Sequence, residues 1–409
     1  MKTLLSSLSF ICAAGAFAAN VDHLATVSNV SFTQNGQQDV IVKYDLANNG
    51  EPAFVTLDVL TNGVPLPVSA VQSLSGDVST SLTNFVADGT GKTIVWKART
   101  DWKGNLGSNA TVVVSAHYTN HLEGVYLRVD VTGGKDADSW PHHFGVVEPD
   151  VSSEAFLHDE LWFKCVPAGT FLMGSPESEL GRSNDETQHL VTLTKPFFIG
   201  VTPVTRKQWQ YATGGTNSLA IVGKEGCPAG NVRYTYTSAN TTRADTFISK
   251  LASKTGLAGF ALPTEAQWEY ACRADTQGVW GDGSPWDPGT TGNSPSISTN
   301  LAVVGWYADN SPISGTTKVV HQVATRAPNA WGLYDFNGNV WELCRDSKRT
   351  YTTDPVEDPK GTIPDSSGSC VKRGGSKDTA AFGCRTARRN TNGTTGTQET
   401  NGARFVLEF

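Results

Sequence analysis

Two carboxylates flank a short glycine-containing stretch in the C-terminal half of the chain. Asp335 and Glu342 lie in the run 329–342, which reads NAWGLYDFNGNVWE. Hard cations such as Ca²⁺ need several oxygen ligands from carboxylates and backbone carbonyls, and a short loop can provide them together. The stretch therefore predicts a calcium-binding loop. The alternative is that both carboxylates are solvated or paired with arginine.

Cysteines are the second group of residues with possible chemistry. The chain has 7 cysteines, of which Cys12 lies in a predicted export signal. The even set that remains favours disulfides in an oxidising compartment, with the connectivity left open. No Cys-x-x-Cys is present, so the sequence does not support a zinc ribbon or a thioredoxin-like motif. The remaining cysteines are Cys165, Cys227, Cys272, Cys344, Cys370 and Cys384.

Arginines near the C-terminus offer a different chemistry. Arg385, Arg388, Arg389 and Arg404 surround the polar run 391–401, which is rich in threonine, asparagine and glycine. Guanidinium groups can hold carboxylate or sulfate groups in a bidentate manner, and short polar side chains make an adaptable hydrogen-bonding surface. The pattern predicts ligand binding. The alternative is a solvated loop whose arginines form structural ion pairs.

Composition limits the possible classes of protein. With 409 residues, 38% hydrophobic and 17% charged, the chain is long enough for two folded domains. Its net charge of −7 provides no basic surface for nucleic acid, so we expect no nucleic-acid partner.

The N-terminus has the pattern of a secretory signal peptide over residues 1–19. Lys2 precedes an apolar run over 4–14, and Ala16 and Ala18 form a small-x-small cleavage site. No other run approaches the roughly 20 apolar residues of a membrane span. We therefore expect an exported protein that is periplasmic, at the cell surface or secreted, with no membrane span.

Residues 20–118 show the pattern of a β-sandwich. Short β-branched runs alternate with glycine, asparagine, aspartate and proline, and they include 27–32, 39–44, 53–59, 93–97 and 111–116. The region is similar to immunoglobulin-like or fibronectin type III modules. A predicted connector follows over 119–160. Its adjacent His142 and His143 point apart and lack a third ligand, so they do not predict a metal site.

Clear helix signals begin only after residue 161. Thr205 can cap a short helix that carries Trp209, and 241–254 is amphipathic, with Gly256 as a stop. Thr264 and Gln267 form a capping box at the start of a further helix. The remainder is irregular and rich in glycine and tryptophan, and we expect most of its tryptophans to be core residues.

Five ordered segments resemble the formylglycine-generating enzyme, or sulfatase-modifying factor, family. They are 167–175, 197–205, 262–273, 329–342 and 373–376, the last with the continuation 385–389 and 402–406. The resemblance implies a variant of the C-type lectin fold over 161–409. The expected fold class is α+β: an all-β sandwich followed by a family domain with little regular secondary structure.

The resemblance also implies calcium ligands. Asp335 and Glu342 match side-chain ligands of the family's first site, with the carbonyls of Gly338 and Val340 beside them. Structural Ca²⁺ is therefore the expected cofactor. The residues that match a second site are Asn300, the Leu301 carbonyl, Asp309 and Ser311.

The catalytic segment departs from the family. Its enzymes place two cysteines after Gly-Gly-Ser, and these thiolates hold copper(I), which activates O₂. Here Thr379 occupies the first cysteine position. Cys384 either matches the second or forms a structural disulfide, for which the resemblance suggests Cys272 as partner. A two-thiolate copper site cannot form from this segment, so we do not expect Cu⁺ as a cofactor.

These observations indicate a family member that has lost the copper pair. The expected function is non-catalytic binding of a peptide or glycan outside the cytoplasm, at a surface near Trp341 and the C-terminal arginines. The alternative is an active oxidoreductase that converts a substrate cysteine to formylglycine with altered chemistry, for which Cys384 is the candidate catalytic residue.

Overall fold

The computed structural model describes residues 25–102, 109–216, 222–234, 244–287, 296–314, 316–365 and 367–409. The predicted signal peptide lies outside the described residues. The chain divides into two units, the first formed by residues up to 130 together with 141–149, and the second by 131–140 together with 150–409. The predicted connector thus contributes to both units.

The first unit is an all-β sandwich. One sheet has the strand order β1-β2-β6-β5 and the other β4-β3-β7, while β8 and β9 pair antiparallel with each other. All five strand runs predicted from the sequence are present. Its elements are β1 (Thr26–Gln34), β2 (Val40–Ala47), β3 (Ala53–Thr61), β4 (Val64–Pro65), β5 (Leu74–Gly76), β6 (Gly89–Trp96), α1 (Ala98–Asp101), β7 (Ala110–Tyr118), β8 (Tyr126–Asp130) and β9 (His142–Gly145).

Alternating side chains explain the core of this sandwich. Every second residue of β2, from Val40 to Leu46, is buried, and so are Ile94 and Trp96 of the neighbouring β6. They pack in one cluster with residues of β3 and β7 from the other sheet. Because successive side chains of a strand point to opposite faces, this period of two places one face of each sheet in a shared core.

The second unit combines short strands with four α-helices among its described residues, together with a π-helical turn (Ala155–Asp159) and a 3-10 turn (Ala381–Cys384). Its strands form the sheet segments β14-β22-β13-β10, β11-β12-β18, β15-β16 and β20-β19-β17-β21. The strands are β10 (Glu160–Val166), β11 (Gly169–Met173), β12 (His189–Leu193), β13 (Phe197–Gly200), β14 (Phe260–Ala261), β15 (Pro312–Ser314), β16 (Thr317–Lys318), β17 (Trp341–Leu343), β18 (Val356–Glu357), β19 (Ser369–Arg373), β20 (Asn390–Gly393), β21 (Asn401–Gly402) and β22 (Val406–Glu408). The helices are α2 (Arg206–Thr213), α3 (Ala244–Thr255), α4 (Glu265–Arg273) and α5 (Thr299–Val304).

Local sequence signals set the helix boundaries. The predicted capping box at α4 is present: Gln267 N donates to Thr264 Oγ1 at 3.1 Å, and Thr264 N donates to Gln267 Oε1 at 2.8 Å. Thr205 caps α2 in the same way. Helix α3 ends before Gly256, whose φ of 73° gives the left-handed turn that favours glycine. The overall class is α+β, as predicted, and no helix within the described ranges has the length and apolar character to cross a bilayer.

Candidate functional site

The loop between Asp335 and Glu342 is tightly wound and leads into β17. Asp335, Gly338 and Asn339 all have positive φ angles of 59°, 99° and 60°. A Cβ on Gly338 would lie 2.2 Å from the Trp306 carbonyl oxygen, so only glycine fits there. Asn339 N donates to that same carbonyl at 2.6 Å. The backbone of the predicted calcium loop is therefore fixed by close contacts.

Asp335 is a buried carboxylate with neutral hydrogen-bond donors. Its Oδ2 accepts from Ala324 N at 2.7 Å, and its Oδ1 accepts from Asn339 Nδ2 at 3.4 Å. Burial is the main cause that raises the pKa of Asp335 to about 6, and the nearby Glu342 carboxylate acts in the same direction. The hydrogen bonds from Ala324 and Asn339 and the charge of Arg404 oppose this rise. A buried carboxylate of this kind would be stabilised by a cation. Asp335 thus fits a calcium ligand.

Glu342 is paired with an arginine. Its carboxylate accepts from Arg404 Nε at 3.0 Å, from Arg404 Nη2 at 2.9 Å and from Trp268 Nε1 at 2.8 Å. An ionised carboxylate has about four lone-pair sites, so three of them are used. Glu342 therefore matches the alternative of a carboxylate that is paired with arginine. Calcium binding by the Gly338 and Val340 carbonyls stays a prediction.

The residues predicted for the second calcium site make bonds within the protein. Asn300 Nδ2 donates to the Pro285 carbonyl at 3.0 Å, and the Leu301 carbonyl accepts from Gly305 N at 2.8 Å. Ser311 Oγ donates to the Lys377 carbonyl at 2.8 Å, whereas Asp309 is exposed. In the described part of the chain, no group of three or more His, Cys, Asp and Glu side chains is arranged to hold a metal ion.

Asp287 shapes this second region, and no sequence pattern predicted it. Burial raises the pKa of Asp287, but hydrogen bonds from Ser298 and Thr299 outweigh this effect and set the pKa at about 2. Its carboxylate also accepts from Asn300 N at 3.0 Å. A carboxylate that accepts from the first amides of α5 stabilises that end of the helix. Because Asp287 lies well before α5 in the sequence, no local pattern predicted this role.

The Cys384 thiol lies in the interior. It is fully buried, and its Sγ lies 3.8 Å from the Thr379 carbonyl oxygen. Burial raises the pKa of Cys384 to about 12, so the sulfur is a protonated thiol near neutral pH. Thr379 stands at the position that the resemblance assigns to the first cysteine. Its Oγ1 lies 3.0 Å from Ser376 Oγ. The reactive species of cysteine is the thiolate.

The predicted disulfide between Cys272 and Cys384 is not formed, which corrects the expectation from the sequence. Cys272 Sγ instead lies 3.5 Å from Thr386 Oγ1, two residues beyond Cys384. None of the six cysteines in the described residues forms a disulfide. Counting along the segment could not place Cys384, because a 3-10 turn covers 381–384 and the residue that meets Cys272 of α4 is Thr386.

Three of the four predicted ligand-binding arginines are buried, contrary to the expectation of a surface. Arg385 pairs with Glu186 at 2.8 Å, Arg389 with Glu265 at 2.7 Å, and Arg404 with Glu342 as described above. Each arginine is at most 2% exposed. Their donors are used inside the fold, which matches the alternative of structural ion pairs. Arg388 is half-buried and donates to Ser183, and Trp341 is buried at 7% exposure.

A chain of alternating buried charges runs through this unit. It consists of Arg273, Glu269, Arg373, Glu265 and Arg389, whose successive members form ion pairs. The sequence does carry a signal for this chain of charges, since Glu265, Glu269 and Arg273 recur every four residues along α4. This spacing places them on one helix face.

The C-terminal polar run is an exposed loop on a buried polar base. Lys372 Nζ donates to Gln398 Oε1 at 2.9 Å and to Asn401 Oδ1 at 3.4 Å. Asn401 Nδ2 in turn donates to Asn392 Oδ1 at 2.9 Å. Lys372 Nζ also lies 5.1 Å from the centre of the Trp341 ring. The exposed residues of the loop are Thr391, Gly393, Thr395, Thr397, Gln398 and Glu399.

Comparison with known families agrees with the ordered segments and the fold. The model of the sulfatase-modifying factor enzyme 1-like domain matches residues 163–409. The chain belongs to this family. Its buried acid–arginine pairs and its 335–342 loop lie within the residues that the family model matches.

Curated relatives match only part of the family domain. The formylglycine-generating enzyme of Streptomyces coelicolor is 36% identical over 129 residues, which cover 29% of this chain and 36% of that protein. The formylglycine-generating enzyme of Mus musculus is 36% identical over 124 residues, covering 29% of this chain and 30% of that protein. The chain thus spans about a third of the length of these relatives.

Solved structures with similar folds include two bacterial proteins. Treponema denticola variable protein 1 has a TM-score of 0.49 and 26% identity, covering 61% of this chain and 96% of its own. PvdO from Pseudomonas aeruginosa has a TM-score of 0.47 and 26% identity, covering 61% of this chain and 94% of its own.

Proposed function

We propose that this protein is an exported, non-catalytic member of the sulfatase-modifying factor family that binds a peptide or glycan outside the cytoplasm. The observation that carries the proposal is the state of Cys384. Its thiol is fully buried and protonated, and Thr379 provides a hydroxyl where the copper pair would need a second sulfur. A hard hydroxyl and a buried thiol are poor ligands for the soft ion Cu⁺.

The proposed ligand-binding surface is the loop 391–400. Three of its threonines (Thr391, Thr395 and Thr397) are exposed, and so are Gln398 and Glu399. Asn392, Asn401 and Lys372 support its base through hydrogen bonds. A rigid frame that carries short polar side chains loses little conformational entropy on binding. This geometry supports recognition of a polar ligand without moving the backbone.

Structural calcium at the 335–342 loop and export by the N-terminal signal belong to the same proposal. Asp335 supports the calcium part, because it is a buried carboxylate whose pKa is raised to about 6 and whose described hydrogen-bond donors are neutral. Calcium there would supply positive charge to a loop that is otherwise fixed by backbone contacts.

Titration with Cu⁺ tests the loss of the catalytic chemistry. The purified protein is titrated with Cu⁺, and the accessibility of Cys384 is followed by alkylation and mass spectrometry before and after unfolding. We expect no stoichiometric tight binding, and alkylation of Cys384 only after unfolding. Stoichiometric Cu⁺ binding together with a reactive Cys384 in the folded protein would contradict the proposal.

The second candidate function is an oxidoreductase that converts a substrate cysteine to formylglycine. Membership of the family and the formylglycine-generating enzymes among its relatives favour it. An O₂-dependent peptide-oxidation assay with a cysteine-containing peptide and Cu⁺ decides between the two. Formation of an aldehyde that is lost in Cys384→Ser would establish the enzyme.

A ligand screen tests the proposed surface directly. Glycan and peptide arrays are probed with the wild type and with Thr397→Ala and Glu399→Ala, two exposed loop positions. Thr352→Ala is the matched control, since Thr352 is exposed elsewhere in the unit. We expect a ligand whose signal falls in the two loop variants and is kept in the control. A ligand bound equally by all variants would place recognition elsewhere.

A further inference from the structure

An open pocket of about 400 Å³ lies within the second unit, away in sequence from the loop 391–400. Sites for small molecules commonly have volumes of roughly 300–1,000 Å³. Three chain segments form the walls: the turn before β10, the turn 223–227 and the stretch after β16. The lining residues on which the argument rests are Glu154, Leu157, Lys224, Glu225, Cys227 and His321.

The floor of the pocket is apolar and uncharged. Leu157, Cys227 and Val320 are buried, with exposures of 6%, 5% and 4%. Cys227 Sγ lies 3.8 Å from the Val320 carbonyl oxygen, and burial raises the pKa of the Cys227 thiol. The thiol is therefore neutral and behaves as a small hydrophobic group. The floor suits an aliphatic side chain.

The rim carries charge of both signs. Glu154 is exposed, and Lys224 and Glu225 are partly exposed on the turn that closes the other side. Lys224 is close enough to act electrostatically on both Cys227 and His321. His158 also lines the pocket and acts electrostatically on Glu225. The rim thus offers two carboxylates, one ammonium and one imidazole around an apolar floor.

His321 is held in a fixed orientation. Its Nε2 lies 3.0 Å from the Ser311 carbonyl, which can only accept, so Nε2 carries the proton. Its backbone N and O both bond the Asn339 side chain at 3.0 Å. The ring stacks on Trp306 at 3.6 Å, and Arg326 lies 3.6 Å from the same indole centre. Two groups at this distance must occupy opposite faces of the indole.

The His321 ring adds an acceptor to the pocket wall. Because its Nε2 proton is donated to the Ser311 carbonyl, Nδ1 of this imidazole tautomer is a lone-pair acceptor. Together with Glu154 and Glu225 it provides three acceptors.

We propose that this pocket binds an apolar α-amino acid, either free or as the first residue of a peptide. An α-ammonium group has three N–H donors, which match the three acceptors on Glu154, Glu225 and His321. The aliphatic side chain packs on Leu157, Cys227 and Val320, and Lys224 receives the carboxylate of a free amino acid. The site shares no residue with the loop 391–400, so it is independent of the proposed function.

Isothermal titration calorimetry with four probes tests the chemistry. L-leucine, L-leucinamide, N-acetyl-L-leucine and the peptide Leu-Gly-Gly are each titrated into the full-length protein. We expect binding of L-leucine or the peptide and at least about tenfold weaker binding of N-acetyl-L-leucine, which lacks the ammonium group. Stronger binding of leucine than of leucinamide and the peptide indicates a free amino acid, and the reverse order indicates a peptide N-terminus.

Paired variants locate the site. Glu225→Gln is expected to weaken the binding of the probe about tenfold. His321→Phe should also weaken it, because this change removes an acceptor while it keeps an aromatic ring on Trp306. Glu177→Gln is the control, since Glu177 is exposed in a different turn of the unit. The absence of binding by both leucine and the peptide would overturn the proposal. Equal binding of N-acetyl-L-leucine, or unchanged affinity in both pocket variants, would overturn it as well.

Discussion

Replacement of the buried carboxylate in the 335–342 loop gives the sharpest test of the structure. Burial raises the pKa of Asp335 from 3.8 to about 6. Between these values the folded protein holds a proton that the unfolded chain has released. The free energy of unfolding therefore falls as the pH rises through this window, and above about pH 6 the whole of this loss is present. A shift of this size corresponds to about 3 kcal/mol.

Asp335→Asn removes that charge and nearly preserves the shape. An Asn side chain can still accept from Ala324 N, but it loses the long bond from Asn339, which costs about 1 kcal/mol. In chelator at pH 8 we therefore expect the variant to be more stable than the wild type by about 2 kcal/mol. Near pH 4 the wild-type carboxyl is protonated, so this advantage should disappear.

Urea unfolding in chelator, followed by tryptophan fluorescence from pH 4 to pH 8, measures the difference in unfolding free energy between the two proteins. Other titrating groups cancel in this difference. Asp354→Asn is the control, because Asp354 is an exposed aspartate. A difference that does not change with pH would refute the argument that Asp335 is a desolvated carboxylate.

The same pair of proteins tests calcium. A ligand that binds only the folded state adds stability, by about 2.7 kcal/mol at a hundred times its Kd. If Asp335 is a ligand, calcium should stabilise the wild type and have much less effect on Asp335→Asn. Equal stabilisation of both proteins would remove Asp335 from the calcium site.

Three further predictions follow from buried groups. Glu265→Ala should destabilise the second unit by about 3–5 kcal/mol in urea unfolding, because it leaves Arg389 buried without its carboxylate partner. A loss below about 1 kcal/mol would show that the network is solvated. Burial lowers the pKa of His117 to about 4, and its ring nitrogens have no hydrogen-bond partner among the described residues. The unfolded chain therefore binds more protons, and the free energy of unfolding should fall by about 3 kcal/mol as the pH drops from 6.5 to 4. His117→Leu should remove this pH dependence. The same pH profile in the variant and the wild type would contradict the role of His117. Gly338→Ala should lower the melting temperature by several degrees, since its Cβ would meet the Trp306 carbonyl, and an unchanged melting temperature would show that the loop relaxes freely.

Ion pairing decides the role of the C-terminal arginines. A surface arginine is free to hold an external anion, whereas a buried one without a partner carries a large desolvation cost. Arg385, Arg389 and Arg404 each meet a buried glutamate from a distant part of the chain. These arginines therefore fix the positions of the loops around them, and the ligand binding that we propose rests on the exposed polar side chains instead.

Local chemistry determined the elements of this protein. The period-two pattern of β2 gave its buried face, and the Thr264–Gln267 capping box placed the start of α4. These features depend on residues within one turn or a few positions along a strand. The ordered segments likewise identified the family, because each is a short run that can be recognised from its own residues without knowledge of the tertiary structure.

Tertiary structure decided the state of each chemical group. Whether Arg404 faced solvent or Glu342, and whether Cys272 met Cys384 or Thr386, depended on segments more than 60 residues apart. Burial, which sets the pKa of Asp335 and Cys384, is also a property of the packed interior. The sequence by itself named the residues capable of chemistry, and only the fold fixed their partners and their exposure to water.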